Sequence, residues 1–186
     1  IEQVDCLIIE YIRGKSLYKI NEIELTETDK RNIIIQLMLT FEFLRSKKLI
    51  YRDLKPNNLI FDDKRNIILI DFERMIGVDD QENIEIRTKN FNNIYMAPEL
   101  LNNNLSKYTF EEDVFSIGLL IYFIITQKNP IKGRIDKSNN NNFKFNNMPS
   151  LYRKLCEECS ESDPDKRPKI TKLIDYFFNI FIFNNS

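Results

Sequence analysis

Apolar residues fall in short runs and in helical steps whose spacing assigns most of the chain. From Val4 to Ile12 (VDCLIIEYI) the residues are mostly apolar and β-branched, which predicts a buried strand ended by Gly14. From Leu25 to Lys48 the pattern turns helical, and Ile34, Leu37, Met38, Phe41 and Leu44 share one apolar face. Thr26 and Asp29 are spaced to cap its start, while Arg45, Lys47 and Lys48 stand at its end, where positive charge is favoured. Residues 59–61 and 67–70 are short apolar strands around a polar turn at 62–66, which predicts a hairpin. Residues 74–95 are polar and aperiodic, a long loop that calls for a functional explanation. Phe110 to Thr126 is apolar on all sides, as a central buried helix should be. Residues 132–147 include four consecutive asparagines at 139–142 and read as a loop with little fixed structure. Ser150 is expected to cap a helix running to about Cys159, and a last helix covers Ile170 to about Ile182.

Composition narrows the class. A chain of 186 residues has room for one domain with a real core and hardly two. With 42% apolar and 30% charged residues it reads as globular, and a net charge of -1 offers no general attraction to nucleic acid. The longest apolar run, 117–125, is far short of the roughly 20 residues a bilayer needs. No membrane insertion and a cytoplasmic location are therefore expected. Cys6, Cys156 and Cys159 make no disulfide framework. The C-x-x-C spacing of the last two lacks a second pair or any histidine to complete a metal or redox set.

The densest set of polar residues held between apolar runs lies at 49–72, LIYRDLKPNNLIFDDKRNIILIDF. Asp53, Lys55, Asn58 and Asp71 are the types a phosphoryl-transfer site needs: a carboxylate to orient a hydroxyl, a cation for moving negative charge, and two oxygen ligands for magnesium. The hairpin would put Asn58 at the mouth of one strand and Asp71 at the end of the other, so that both can share one cation.

This stretch resembles the eukaryotic protein kinases, and their serine/threonine branch in particular. Tyr51-Arg52-Asp53-Leu54-Lys55-Pro56-Asn57-Asn58 matches the catalytic-loop signature, and Asp71-Phe72-Glu73 stands where the family has Asp-Phe-Gly. Met96-Ala97-Pro98-Glu99, Asp113 within a helix, and Asp163 to Pro168 follow in the family's order. The resemblance implies a mainly α fold with a small β ribbon: a kinase-like C-terminal lobe over 14–186, preceded by one N-terminal-lobe strand and the hinge over 1–13. Its activation segment would run from about 71 to 99. Neither a glycine-rich loop nor a strand with the ATP-anchoring lysine is found in the sequence, so the N-lobe is expected to be missing and the chain alone inactive.

On this resemblance Asp53 and Lys55 are catalytic, and Asn58 and Asp71 ligate Mg2+ beneath ATP. Ile9 is the gatekeeper position, Glu10, Tyr11 and Ile12 offer backbone to adenine, Ser16 lies near the ribose, and Ile60 floors the base. Leu17, Leu59, Phe61, Leu120 and Ile124 would form an apolar column below it. Arg52 would pair with a phosphate on Thr88 placed by an upstream kinase, Asp113 would hold the catalytic loop, and Glu99 would pair with Arg167. The partner is a protein bearing a serine or threonine. Four departures stand out: Glu73 for glycine, which tolerates angles a β-carbon resists; Asn92 for a bridging threonine; Tyr51 for the commoner histidine; and an asparagine-rich stretch where a helix is usual. Glu73, the missing lobe and the asparagine-rich stretch leave a pseudokinase, or a protein-binding scaffold of the same fold, as the alternative.

Overall fold

A computed structural model describes residues 8–79, 93–101, 108–130 and 143–183. Among the described residues the five short strands are β1 (Gly14–Ser16), β2 (Leu49–Ile50), β3 (Leu59–Asp62), β4 (Ile67–Leu69) and β5 (Ile76–Gly77). The four α-helices among the same residues are α1 (Glu27–Ser46), α2 (Phe110–Thr126), α3 (Ser150–Cys159) and α4 (Ile170–Phe183). The strands form a three-stranded antiparallel sheet, β1-β3-β4, and a two-stranded one, β2-β5.

The expectation of a lone ribbon is corrected by this pairing. The hairpin is present, with Leu59 opposite Leu69 and Phe61 opposite Ile67, but a third strand lies along it. That strand is Gly14–Ser16, not Val4 to Ile12. Residues 4–7 lie outside the described residues, and 8–13 take no strand pairing. Apolar, β-branched residues make a strand only where a partner backbone is in reach, and here Ile8, Ile9 and Tyr11 are 94%, 69% and 84% exposed. Gly14, expected as the strand's end, is instead its first residue. A Cβ there would stand 2.4 Å from the Phe61 carbonyl oxygen, so only glycine lets the two backbones meet. β5 was also illegible: two residues are too few for any period.

The core is built on α2, whose residues from Glu112 to Ile124 are all buried. α1 turns the expected face inward, with Ile34, Leu37, Met38, Phe41 and Leu44 all buried. Thr26 and Asp29 form the expected capping box. Asp29 also takes a bidentate bond from Arg65 in the β3–β4 turn, tying helix to hairpin and holding the Asp29 carboxyl well below the usual range. α3 begins at Ser150 with Pro149 before it and no side-chain cap, so Ser150 is not the capping residue. The expectation of little fixed structure over 132–147 fails at its end, while residues up to 142 lie outside the description. Phe143 and Phe145 are buried, meeting the Phe115 and Tyr122 rings at 6.1 and 5.6 Å. The alternation Phe-x-Phe anchors a chain that composition alone marks as loose.

α2 and α3 approach each other closely at Gly118. A Cβ there would fall 2.5 Å from Cys159 Cβ. Gly118→Ala is therefore expected to force the helices apart and destabilise the fold by about 1–3 kcal/mol, read as a lower urea midpoint at unchanged slope. Burial pushes the thiols of Cys156 and Cys159 up, so both stay protonated.

Candidate active site

β2 delivers the chain to Tyr51, and Tyr51 and Arg52 are fixed from below. Both carboxylate oxygens of Asp113, one turn into α2, accept backbone N–H bonds at 2.8 Å, Oδ2 from Tyr51 and Oδ1 from Arg52. Burial pushes the Asp113 carboxyl up to about 6, while these two donors and the Arg52 charge pull the other way. Arg52 has φ 71°, a left-handed angle rarely taken by a residue with a β-carbon. Its guanidinium lies 3.8 Å from the centre of the Tyr108 ring. The reversal at Arg52 turns Asp53 toward Lys55 and Asn58.

Asp53 is 5% exposed and its polar contacts converge on one oxygen. Lys55 Nζ donates to Oδ2 at 2.6 Å and Asn58 Nδ2 at 3.0 Å. Arg74 Nε stands 3.9 Å from the same atom. Asn58 Nδ2 also donates to the Asp53 carbonyl at 2.9 Å. With its amide nitrogen committed to Asp53, Asn58 has its carbonyl oxygen as the acceptor it can offer a cation.

The strand register brings Asp71 to the same end of the sheet. Leu59 pairs with Leu69, and the Ile70 N–H bonds the Asn58 carbonyl at 3.0 Å, which places Asp71 one residue beyond Asn58's neighbour. Asp71 is exposed and has φ 64°. Glu73 is not among the residues of positive φ. The strain expected at Glu73 therefore does not arise there: the left-handed turn sits two residues earlier, at Asp71. Tyr51, fully buried, donates its hydroxyl proton to the Ile70 carbonyl at 2.5 Å and meets the Phe41 and Phe72 rings edge-on. Tyr51→Phe is expected to cost about 0.5–1.5 kcal/mol, the range for a lost neutral hydrogen bond, measured by denaturant midpoint.

One carboxylate and one amide oxygen form a hard donor set that suits magnesium completed by water and phosphate oxygens. Among the described residues no group of three or more Asp, Glu, His or Cys gathers as a metal site, and a cation shared with a nucleotide needs none. Other expected residues are less gathered. Ser16 is paired with Ile60 across β1 and β3, so those two adjoin. Ile9, Glu10 and Tyr11 are exposed and Ile12 partly so. Leu17, Leu59, Phe61, Leu120 and Ile124 are all buried in one core. Thr88 and Asn92 lie outside the described residues. Glu99 and Arg167 do meet, at 2.5 and 2.8 Å.

Three neighbours went unread in the sequence. Tyr108 and Arg74 come to the site through folding of distant or aperiodic segments, and no local pattern marks them. Glu112 carried a signal: Thr109-x-x-Glu112 is a capping-box spacing, and its Oε1 accepts the Thr109 N–H at 3.0 Å.

A model of the protein kinase domain family matches residues 2–178. The chain is 31% identical over 180 residues to the dual specificity protein kinase pyk3 of Dictyostelium discoideum, covering 91% of this chain and 13% of that one. It is 28% identical to rhodopsin kinase GRK1 of Rattus norvegicus, covering 87% of this chain and 31% of that one. It is also 28% identical to the serine/threonine-protein kinase ppk34 of Schizosaccharomyces pombe, covering 91% and 50%. The fold and these matches define a class, that of the protein kinase domains. The chain belongs to the protein kinase family. A hinge and helical lobe with the sheet lobe missing is corrected by the same findings: two sheets of strands accompany the helices, and the match begins at residue 2. The chain spans between 13% and 50% of the length of these relatives. Protein kinases in general use ATP with Mg2+ on a protein hydroxyl. Among the described residues no helix is long and apolar enough to cross a membrane.

Proposed function

We propose that the chain moves the γ-phosphoryl of ATP to a serine or threonine hydroxyl of a protein. The observation that carries this reading is the convergence of donors on one oxygen of Asp53. Among the described residues Oδ1 receives none of those bonds, which leaves it to take the hydroxyl proton. Lys55, bonded to Oδ2, puts a positive charge beside the point where phosphate charge spreads. Asn58 and Asp71 hold magnesium in this reading, and the ion supplies charge neutralisation on the phosphates. Ser16 and Ile60 lie on the nucleotide side, with the backbone of Ile9 to Ile12 along its base. Arg52 pairs with a phosphate on Thr88, and the protein acts in the cytoplasm.

Asp53→Asn is the test. It keeps the shape and one side-chain oxygen to accept from Lys55 Nζ and Asn58 Nδ2, but removes the base. Transfer to a serine or threonine peptide is expected to fall by about 10²–10⁴-fold, with magnesium-dependent ATP binding kept. Equal transfer by both proteins would overturn the assignment. ATP binding without transfer by the unaltered chain would favour the scaffold instead.

A further inference from the structure

A cavity of about 200 Å³ lies behind the catalytic loop, between α1, the first turns of α2 and the start of α4. Phe41, Phe110, Ile117 and Ile170 give it an apolar body. Asp113, whose carboxylate holds the Tyr51 and Arg52 amides, is part of its wall. Charged groups line it as well. Arg45 is already paired bidentately with Glu42. Lys169 is exposed and, among the described residues, its ammonium has neither hydrogen bond nor ion pair. Glu111 also lines the cavity and repels an anion from its own side.

We infer that this cavity binds a small amphipathic carboxylate, its apolar body against Phe41 and Ile117 and its head at Lys169. Size sets the class: an apolar cavity of roughly 150 Å³ accepts a benzene ring, so the volume here suits a ring with a short chain or a medium-length fatty acyl chain. Lys169 sets the sign of the head, since Arg45 is committed to Glu42. A bound body packs against the wall that includes Asp113 and so restrains the loop bearing Asp53. The inference does not depend on the phosphoryl-transfer reading, because its test needs no activity.

The probes are octanoate, octanol and octylamine, added to the purified chain at millimolar concentration. Octanoate is expected to raise the melting temperature by preferential binding to the folded state, and to slow hydrogen exchange at the Tyr51 and Arg52 amides. Val114→Phe, which fills the cavity from its own wall, should weaken octanoate by about tenfold or more, as expected for a blocked site. Lys169→Ala, a surface change that leaves the fold intact, should weaken octanoate about three- to fivefold, the range of one exposed ion pair, and leave octanol unaltered. Absence of any octanoate shift overturns the inference. So does a shift that survives Val114→Phe, and so does octylamine binding as well as octanoate.

Discussion

Arg167→Met is expected to lower the stability of the folded chain by about 3–5 kcal/mol, the cost of leaving one partner of a buried pair alone. The Arg167 side chain is fully buried and that of Glu99 is 15% exposed. Two guanidinium nitrogens meet the two Glu99 oxygens at 2.5 and 2.8 Å. The same group also donates to the Glu111 carbonyl at 2.9 Å and, through Nε, to the Glu161 carbonyl at 2.8 Å. Its carbon lies 5.0 Å from the Phe115 ring centre. Methionine fills comparable space but satisfies none of these acceptors, and the Glu99 carboxylate stays in a largely dry site. Arg167→Lys keeps the charge and loses the planar fork, so it should fall between the two. Denaturant unfolding of the three proteins decides the matter. A methionine variant within about 1 kcal/mol of the original, the ceiling for an exposed pair, would mean that the pair behaves as a surface contact.

Glu112→Gln should do the opposite: it should stabilise, and by an amount that depends on pH. Glu112 is 2% exposed, and among the described residues its Oε2 has no hydrogen-bond partner. Burial, with the charges of Asp113 and Glu99 adding to it, pushes its carboxyl up to about 9 from an ordinary 4.5. Between those values the folded chain holds a proton that the unfolded chain has released. Stability therefore falls as pH rises from 4.5 toward 9, and the contribution vanishes below 4.5, where both states are protonated. Glutamine keeps the acceptor for the Thr109 N–H and has no charge to lose. Its advantage should be near zero at pH 4, on the order of 2–3 kcal/mol at pH 7, and larger at pH 9. Asp113, pushed up to about 6, adds a slope of the same sign below that value in both proteins and cancels in the difference. An advantage that is flat with pH would show that Glu112 ionises normally in the fold.

The helices and the hairpin were legible because their signals are local. Phe41 and Leu44 recur at helical steps, Thr26 and Asp29 sit at capping distance, and the 62–66 turn separates two apolar runs. The family motifs pointed to Asp53, Lys55, Asn58 and Asp71, and folding brings the first three into direct contact. What escaped depends on pairing across distance. Gly14 looked like the end of a strand because a glycine's need for room shows only when Phe61 is beside it. Phe143 and Phe145 were lost among asparagines, since composition averages away two anchoring rings. Strain was expected at Glu73 and occurs at Asp71, because the position of a left-handed residue follows from hydrogen bonding on both sides of it.

Asp71 reaches its unusual angle between β4 and β5, and β5 contributes only two residues, held against Leu49 and Ile50. Asp53, by contrast, is braced through Asp113 to the most deeply buried helix. The two carboxylates of one site thus have unequal footing. Loosening so short a pairing, among the first openings a fold undergoes, would let Asp71 relax to ordinary backbone angles while Asp53 kept its place.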